Sequence, residues 1–120
     1  MEHLTQQEET AMRHLWNIGD GTVKEIQQQY GSEAPPYTTL ASVVKNLERK
    51  KYVKARRVGN TYLYSPLVLQ TEYKRQSLRR MVSDYFGGSY KDMVSFFVSD
   101  EKLSADELRD IMKLIDHSER

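Results

Sequence analysis

Cysteine is absent from this chain of 120 residues, and its absence excludes several kinds of site. Without a thiol there is no disulfide framework, no thiolate ligand for a metal and no cysteine nucleophile. The three histidines, His3, His14 and His117, are scattered and lack the paired spacing of a zinc site. We therefore expect neither a metal nor any other cofactor.

Long apolar runs are also missing. No window approaches the roughly 20 apolar residues that a membrane-spanning helix requires. The first ten residues, MEHLTQQEET, have no basic segment followed by an apolar run, as a signal peptide would. We expect a cytoplasmic protein with no membrane insertion.

Charge is nearly balanced overall, because 18 Lys and Arg face 17 Asp and Glu. The distribution is uneven, however. Between Lys45 and Arg57 seven cations accompany a single acid, Glu48, whereas the segment after Asp100 is mostly acidic. A near-neutral total therefore conceals a basic region, which is typical of a nucleic-acid-binding surface.

Capping boxes mark the start of two helices before the basic region. They are formed by Thr5 with Glu8 and by Thr22 with Glu25. In such a box the Thr side chain and the acid three residues later satisfy backbone groups at the helix start. The pattern predicts helices from about residue 6 to 17 and from residue 23 to Gly31.

A third helix is expected to begin after Pro35 and Pro36, with Thr38 as its cap, and to extend to Lys51. Its apolar residues recur at helical spacing, which predicts one buried stripe: Leu40, Val43, Val44 and Leu47. Three short helices in succession, the third basic, are typical of a helix-turn-helix.

A two-stranded hairpin is predicted next, with strands over 52–57 and 61–65 and a turn at Gly59 and Asn60. Pro66 is expected to end it. The pattern does not decide which face of the second strand is buried, since Tyr62 and Tyr64 compete with Leu63 for the core. A hairpin behind a recognition helix is the wing of a winged helix.

Helix and wing together predict a surface for double-stranded DNA. Its expected side chains are small, polar or cationic, and they are Tyr37, Thr38, Thr39, Ala41, Ser42, Lys45, Asn46, Arg49, Lys50, Lys54, Arg56, Arg57 and Asn60. The alternative is an ordinary solvated face, or an edge strand kept soluble by its charges. We favour DNA because the cluster follows two capped helices and flanks a hairpin.

Three further helices are predicted in the second half, one over 71–86, one capped by Ser89 and one capped by Ser104 with Glu107. Their apolar stripes exceed what this short segment can bury, which favours a homodimer about a two-fold axis. The residues expected at that interface are Leu78, Met81, Val82, Tyr85, Met93, Val94, Phe97, Leu108, Ile111, Met112 and Ile115.

The predicted fold is mainly α with a small β-hairpin. It comprises a winged-helix DNA-binding domain over 1–70 and a helical dimerisation domain over 71–120. No constellation indicates an enzyme: Asp106, Glu107 and Asp110 are acids favoured at a helix start. Gly87 and Gly88 stop a helix and lack the Lys and Ser or Thr of a phosphate-binding loop.

Four segments of the chain carry a resemblance to a known family. They are LTQQEETAMRHLW, YTTLASVVKNLERKKYV, the YLYSPL exit of the hairpin and FGGSYKDMVSFFVSDEKLSADELRDIMKLI. With them the chain resembles the BlaI/MecI/CopY family of penicillinase-repressor-type transcriptional regulators. The GGS turn and the LS-x-x-EL-x-x-I ending distinguish this family from other winged-helix proteins.

The resemblance implies a homodimeric repressor that reads a palindromic operator. It also implies derepression by proteolysis in the C-terminal domain through a membrane sensor pathway, with the matching bond between Phe96 and Phe97. This chain has Phe96, Lys51 and Asn46 where relatives commonly have Asn, Gly and Arg. Two alternatives stay open: a winged-helix protein-interaction module without DNA binding, and a regulator that responds to a small ligand.

Overall fold

The structure, a computed structural model, describes the backbone of residues 1–118 and the side chains of residues 1–113. Its elements are α1 (Gln6–Ile18), α2 (Val23–Gln29), a 3₁₀ turn (Gly31–Glu33), α3 (Tyr37–Arg49), β1 (Val53–Val58), β2 (Thr61–Pro66), α4 (Gln70–Phe86), α5 (Tyr90–Ser99) and α6 (Ala105–Ser118). They form two compact units, Met1–Lys74 and Arg75–Arg120. The mainly helical fold with one hairpin is as predicted.

Both capping boxes of the first unit are formed. The Thr5 side chain accepts from the backbone N–H of Glu8, whose carboxylate accepts from the backbone N–H of Thr5. Thr22 and Glu25 repeat the arrangement at α2. These helix starts were predictable because all partners lie within one turn of each other.

The start of α3 differs from its prediction. The helix begins at Tyr37, directly after Pro36, and no side chain caps it. Thr38 already lies in the first turn, where its carbonyl accepts a hydrogen bond from the Ser42 hydroxyl at 3.2 Å. The prediction that Thr38 caps the helix is therefore wrong. A proline restricts the residue before it, and leaves the next residue free to enter the helix.

The end of α3 also lies earlier than predicted, at Arg49 instead of Lys51. Lys51 has a φ of 66° and donates its N–H to the Glu48 carbonyl, while the Tyr52 N–H donates to the Leu47 carbonyl. These two bonds are a Schellman motif, in which the left-handed residue is usually Gly. The helix is thus ended sharply although Lys51 occupies the left-handed position.

The core of the first unit is built from one face of each helix. In α3 the predicted stripe is buried, with Leu40, Val44 and Leu47 each 1% exposed and Val43 8% exposed. Its partners are Leu4, Ala11, Met12, Leu15, Val23, Ile26, Tyr52, Val53, Tyr64 and Val68. Three short helices are therefore held by one shared apolar cluster, which leaves the opposite face of α3 to solvent.

The two strands pair antiparallel, with Ala55 opposite Tyr64 and Arg57 opposite Tyr62. Tyr64 is buried whereas Leu63 is half-buried, so the core side of β2 is the face that carries Tyr64. Tyr62 lies on the same face, nearer the turn, and is exposed. Tyr64 also exchanges both backbone hydrogen bonds with Gly21, at 2.8 and 3.0 Å. Gly21, in the segment before α2, thereby forms an isolated antiparallel bridge with β2. β2 ends at Pro66, as predicted, although Pro66 itself is still part of the strand.

The first turn of α4 belongs to the first unit. The Tyr73 ring lies 5.6 Å from that of Trp16 and 6.0 Å from that of Tyr52, and its hydroxyl donates to the Glu9 carboxylate at 2.6 Å. Trp16 donates its indole N–H to the Val68 carbonyl. These contacts explain why the first unit extends to Lys74.

The second unit contains the rest of α4 with α5 and α6. Ser89 accepts from the backbone N–H of Asp92 at the start of α5, and Ser104 with Glu107 forms the capping hydrogen bonds before α6. None of the helices in the described part of the chain is long and apolar enough to span a bilayer.

Candidate nucleic-acid interface

The face of α3 opposite the buried stripe carries the predicted recognition residues. Ala41 is half-buried and the others are exposed: Tyr37, Thr38, Thr39, Ser42, Lys45, Asn46 and Arg49. The helix is amphipathic, so the apolar stripe fixes which residues project outward. Short hydroxyl, amide and cationic side chains on a helix suit contacts to base edges and phosphates.

The wing, defined as β1, β2 and their turn (Val53–Pro66), presents cations on its outer side. Val53 is buried whereas Lys54, Arg56 and Arg57 are exposed, as is Asn60 at the turn. The Arg57 side chain donates from Nε to the Gly59 carbonyl at 3.3 Å. This contact holds the guanidinium beside the tip of the hairpin, while its terminal N–H groups can bind a phosphate.

Tyr62 joins the recognition helix to the wing, and sequence reasoning missed it. Its ring is 47% exposed, and the Lys45 ammonium lies 5.7 Å from the ring centroid. Lys45 also lies 3.8 Å from the Glu48 carboxylate, an exposed pair that contributes little. Alternation along β2 places Tyr62 on the same face as the buried Tyr64, so the pattern alone does not predict its exposure, which follows from its position next to the turn of the hairpin.

Lys50 is a correction to the predicted interface. Its ammonium lies 2.7 Å from Glu8 Oε1 and 3.0 Å from the His3 carbonyl oxygen, and only 10% of its side chain is exposed. An ammonium that is buried against a carboxylate cannot also reach a phosphate. We therefore remove Lys50 from the DNA-binding set.

The second unit exposes much of its apolar surface. Among the predicted dimerisation residues, Tyr85 is 79% exposed, Met112 56%, Leu78 48%, Phe97 39% and Ile111 37%. Met81, Met93, Val94 and Leu108 are half-buried. Val82 is a correction, because it is 1% exposed within a single chain and has no surface to offer a partner. The side chain of Ile115 lies outside the described residues.

A groove on the second unit has an apolar lining. It measures about 310 Å³ and lies between α5 and α6, where it is formed by Tyr90, Lys91, Val94, Ser95, Leu108, Ile111 and Met112. The Phe96 ring, 56% exposed, lies 5.9 Å from the Phe86 ring and 6.1 Å from the Phe97 ring. Phe96 and Phe97 are both inside α5, so the bond between them is part of a helix.

A cleft of about 300 Å³ opens beside the start of α3. It is lined by Gln6, Gln7, Thr10, Tyr30, Glu33, Pro35, Thr39, Leu40 and Val43. Burial raises the pKa of the Tyr30 hydroxyl above its usual value. Among the described residues, no three His, Cys, Asp or Glu side chains are grouped as a metal site requires.

The sequence was compared with known proteins and families. The model of one family, described as penicillinase repressor, matches residues 4–117. The penicillinase repressor of Staphylococcus aureus is 27% identical over 77 residues, covering 62% of this chain and 61% of that protein. The methicillin resistance regulatory protein MecI of Staphylococcus aureus is 23% identical over 93 residues, covering 78% of this chain and 73% of MecI.

The solved structure of a MarR family protein from Bacillus stearothermophilus aligns over 99% of this chain and 78% of that one, with a TM-score of 0.48 and 17% identity. The winged-helix assignment itself rests on the order of the elements in the first unit. Three helices around one core are followed by a hairpin that pairs with the segment before α2.

Proposed function

We infer that this chain, which belongs to the penicillinase repressor family, is a transcriptional repressor that binds operator DNA as a homodimer. The observation that carries this proposal is the division of α3 into two faces. One face is buried in the core, and the other is exposed beside the cations of the wing. That arrangement suits a helix in a major groove with phosphates on either side.

Phosphate binding is assigned to the exposed cations Lys45, Arg49, Lys54, Arg56 and Arg57. Each is at the surface of α3 or the wing, and each phosphate neutralised releases counterions from the duplex. Base contacts are assigned to the exposed polar side chains near the start and middle of α3, namely Thr38, Thr39, Ser42 and Asn46. The Tyr37 ring and the Ala41 methyl group would contact thymine methyl groups or sugars.

Dimerisation is assigned to the second unit. Its 46 residues are few for an independent core, since very small domains are usually stabilised by association, a disulfide or a metal. The exposed Phe97, Ile111 and Met112 with the groove between α5 and α6 form an apolar surface that a second copy would cover. A two-fold dimer places two recognition helices on a palindromic operator.

Proteolytic control at the Phe96–Phe97 bond is part of the proposal. A cut there would separate residues 90–96 of α5 from residues 97–99 and α6, dividing the apolar surface proposed for the dimer. Because the bond lies within a helix, α5 must unfold locally before a protease can bind it in an extended form. A membrane sensor pathway that activates such a protease would then relieve repression in the cytoplasm.

The test begins by selecting a binding site from random duplex DNA with the full chain. Fluorescence anisotropy then measures affinity for the selected duplex and for a scrambled duplex of the same composition at several salt concentrations. We expect tighter binding to the selected site, a palindromic consensus and a steep loss of affinity with salt. Absence of binding to either duplex at low salt would overturn the proposal, and sedimentation of a monomer would overturn the dimer.

A further inference from the structure

We propose that Glu8 and Lys50 are positioning residues for DNA binding, and that their buried ion pair fixes the end of α3 against the start of α1. This inference rests on the proposed function. It concerns neither a base contact nor a phosphate contact. The juxtaposition that carries it is that of Lys50, a cation at the end of the recognition helix, with the buried carboxylate of Glu8.

The pair is nearly sealed from solvent. The Glu8 side chain is 4% exposed and the Lys50 side chain 10% exposed, with 2.7 Å between Lys50 Nζ and Glu8 Oε1. Among the described residues, the buried set is hydrophobic apart from Glu8, which carries a charge. Its burial would by itself raise the pKa of its carboxyl group. The Lys50 hydrogen bond and the Thr5 N–H reverse that effect, so its pKa is lowered.

One carboxylate oxygen connects three pieces of the chain. Glu8 Oε1 accepts from Lys50 Nζ and from the backbone N–H of Thr5 at 2.8 Å, which is half of the α1 capping box. The same ammonium donates to the His3 carbonyl. The end of α3 is therefore attached to the cap of α1 and to the N-terminal arm, defined as residues 1–4.

A second attachment lies two residues further along the chain. The Tyr52 hydroxyl donates to the Glu2 carbonyl at 2.6 Å, and Tyr52 is 2% exposed. Tyr52 is also the residue whose N–H completes the Schellman motif of α3. Lys50 and Tyr52, both directly after α3, thus each donate a hydrogen bond to a backbone carbonyl of the arm.

The reason to assign positioning is the kind of force involved. The apolar stripe of α3 holds the helix on the core, but apolar contacts are not directional and tolerate small rotations and shifts. Relative to apolar residues of similar volume, a buried ion pair contributes little net stability because desolvation offsets attraction, although removing only one partner is costly. Its directional hydrogen bonds instead define where the helix end lies. Base readout depends on that position, whereas phosphate attraction depends mainly on charge.

The experiment compares three variants of the full chain, Lys50→Met, Glu8→Gln and the double variant, on the selected and the scrambled duplexes. Gln can keep the capping hydrogen bond to Thr5, so Glu8→Gln removes the charge alone. Fluorescence of Trp16, the single tryptophan, verifies that the first unit is folded under the binding conditions. Arg56→Ala is the control for a phosphate contact.

We expect each single substitution to lower the ratio of selected to scrambled affinity by about tenfold, comparable to one mismatched base pair. The double variant should lose about the same factor, because residues that act through one contact are not additive. The salt slope should stay at the wild-type value for Lys50→Met and fall by about 0.9 for Arg56→Ala.

A reduced salt slope for Lys50→Met would overturn the inference, since Lys50 would then contact a phosphate. An unchanged affinity ratio, or a hundredfold loss in the double variant, would also overturn it. If Lys50→Met does not fold, Lys50→Arg replaces it, because Arg keeps the charge but alters the geometry of the pair. The same loss in the ratio of selected to scrambled affinity is expected, with an unchanged salt slope. Wild-type protein that binds neither duplex would instead contradict the proposed function.

Discussion

The ammonium of Lys45 lies 5.7 Å from the centroid of the Tyr62 ring, so α3 contacts the wing through a cation and an aromatic face. Such a contact contributes about 0.5–1 kcal/mol at an exposed site. It also restrains Lys45, a long side chain that would otherwise lose rotamer freedom on binding DNA.

Replacing the Tyr62 ring should therefore weaken DNA binding. We expect Tyr62→Leu, which keeps bulk without a π face, to lower affinity for the selected duplex about two- to fivefold. Tyr62→Phe should bind as wild type does. Anisotropy titration measures both, and equal losses in the two variants would show that the hydroxyl group, and not the ring, is what matters.

Lys51 offers a test of backbone strain. Its φ of 66° is unfavourable for a residue with a Cβ by about 1–2 kcal/mol. Lys51→Gly should relieve this strain, but Gly also gives the unfolded chain more conformational entropy. We expect the free energy of unfolding to rise by about 1 kcal/mol net. Urea unfolding followed by Trp16 fluorescence measures it. Lys51→Gln is the matched control, which removes the charge, keeps the Cβ and should show no such gain.

The buried carboxylate predicts a pH dependence of stability. The pKa of Glu8 is lowered below 4.5 in the folded chain, so the unfolded chain binds this proton more readily. The stability that this lowered pKa contributes is present above pH 4.5. It is lost as the pH falls through the pKa that Glu8 has in the folded chain.

We expect Glu8→Gln to be about 3 kcal/mol less stable than wild type at neutral pH, because Lys50 is left buried without its partner. The difference should shrink as the pH is lowered below 4.5. Urea unfolding at a series of pH values measures it. The exposed Glu33→Gln is the control, and a constant difference for Glu8→Gln across the series would contradict the assignment.

The dimer surface can be tested with a single charge. Met112, 56% exposed, should tolerate Asp in a single chain because its side chain already faces solvent. Burial of that carboxylate in a dimer interface would cost several kcal/mol. We expect Met112→Asp to sediment as a folded monomer, whereas Lys113→Asp on the same helix stays dimeric. Identical behaviour of the two variants would place the interface elsewhere.

Local features were predictable from sequence. The capping boxes of Thr5 and Thr22 and the stripe from Leu40 to Leu47 follow from residues within a few turns of each other, and the structure contains them all. The family resemblance is confirmed over residues 4–117. The exposure of Arg56 and Arg57 followed from charge alone, since an isolated cation is costly to bury.

Features that depend on distant partners were not predictable in this way. The role of Lys50 is decided by Glu8, 42 residues away in the chain, and nothing near Lys50 in sequence indicates it. The buried face of β2 was ambiguous because Tyr can be buried or exposed, and it is decided by the packing of Tyr64 in the core of the first unit. Val82 lies on an apolar stripe like its neighbours, but only tertiary packing distinguishes inner from outer positions.

The paired hydrogen bonds between Gly21 and Tyr64 have a consequence for the kinetics of local opening. A two-stranded hairpin alone is marginal in water and would fray rapidly at its base. Here β2 cannot detach without also releasing the turn between α1 and α2. The amides of Gly21 and Tyr64 should therefore exchange with solvent deuterium at one common rate, far slower than those at the tip of the hairpin. The base of the wing thus opens only together with the helical body, as one cooperative unit.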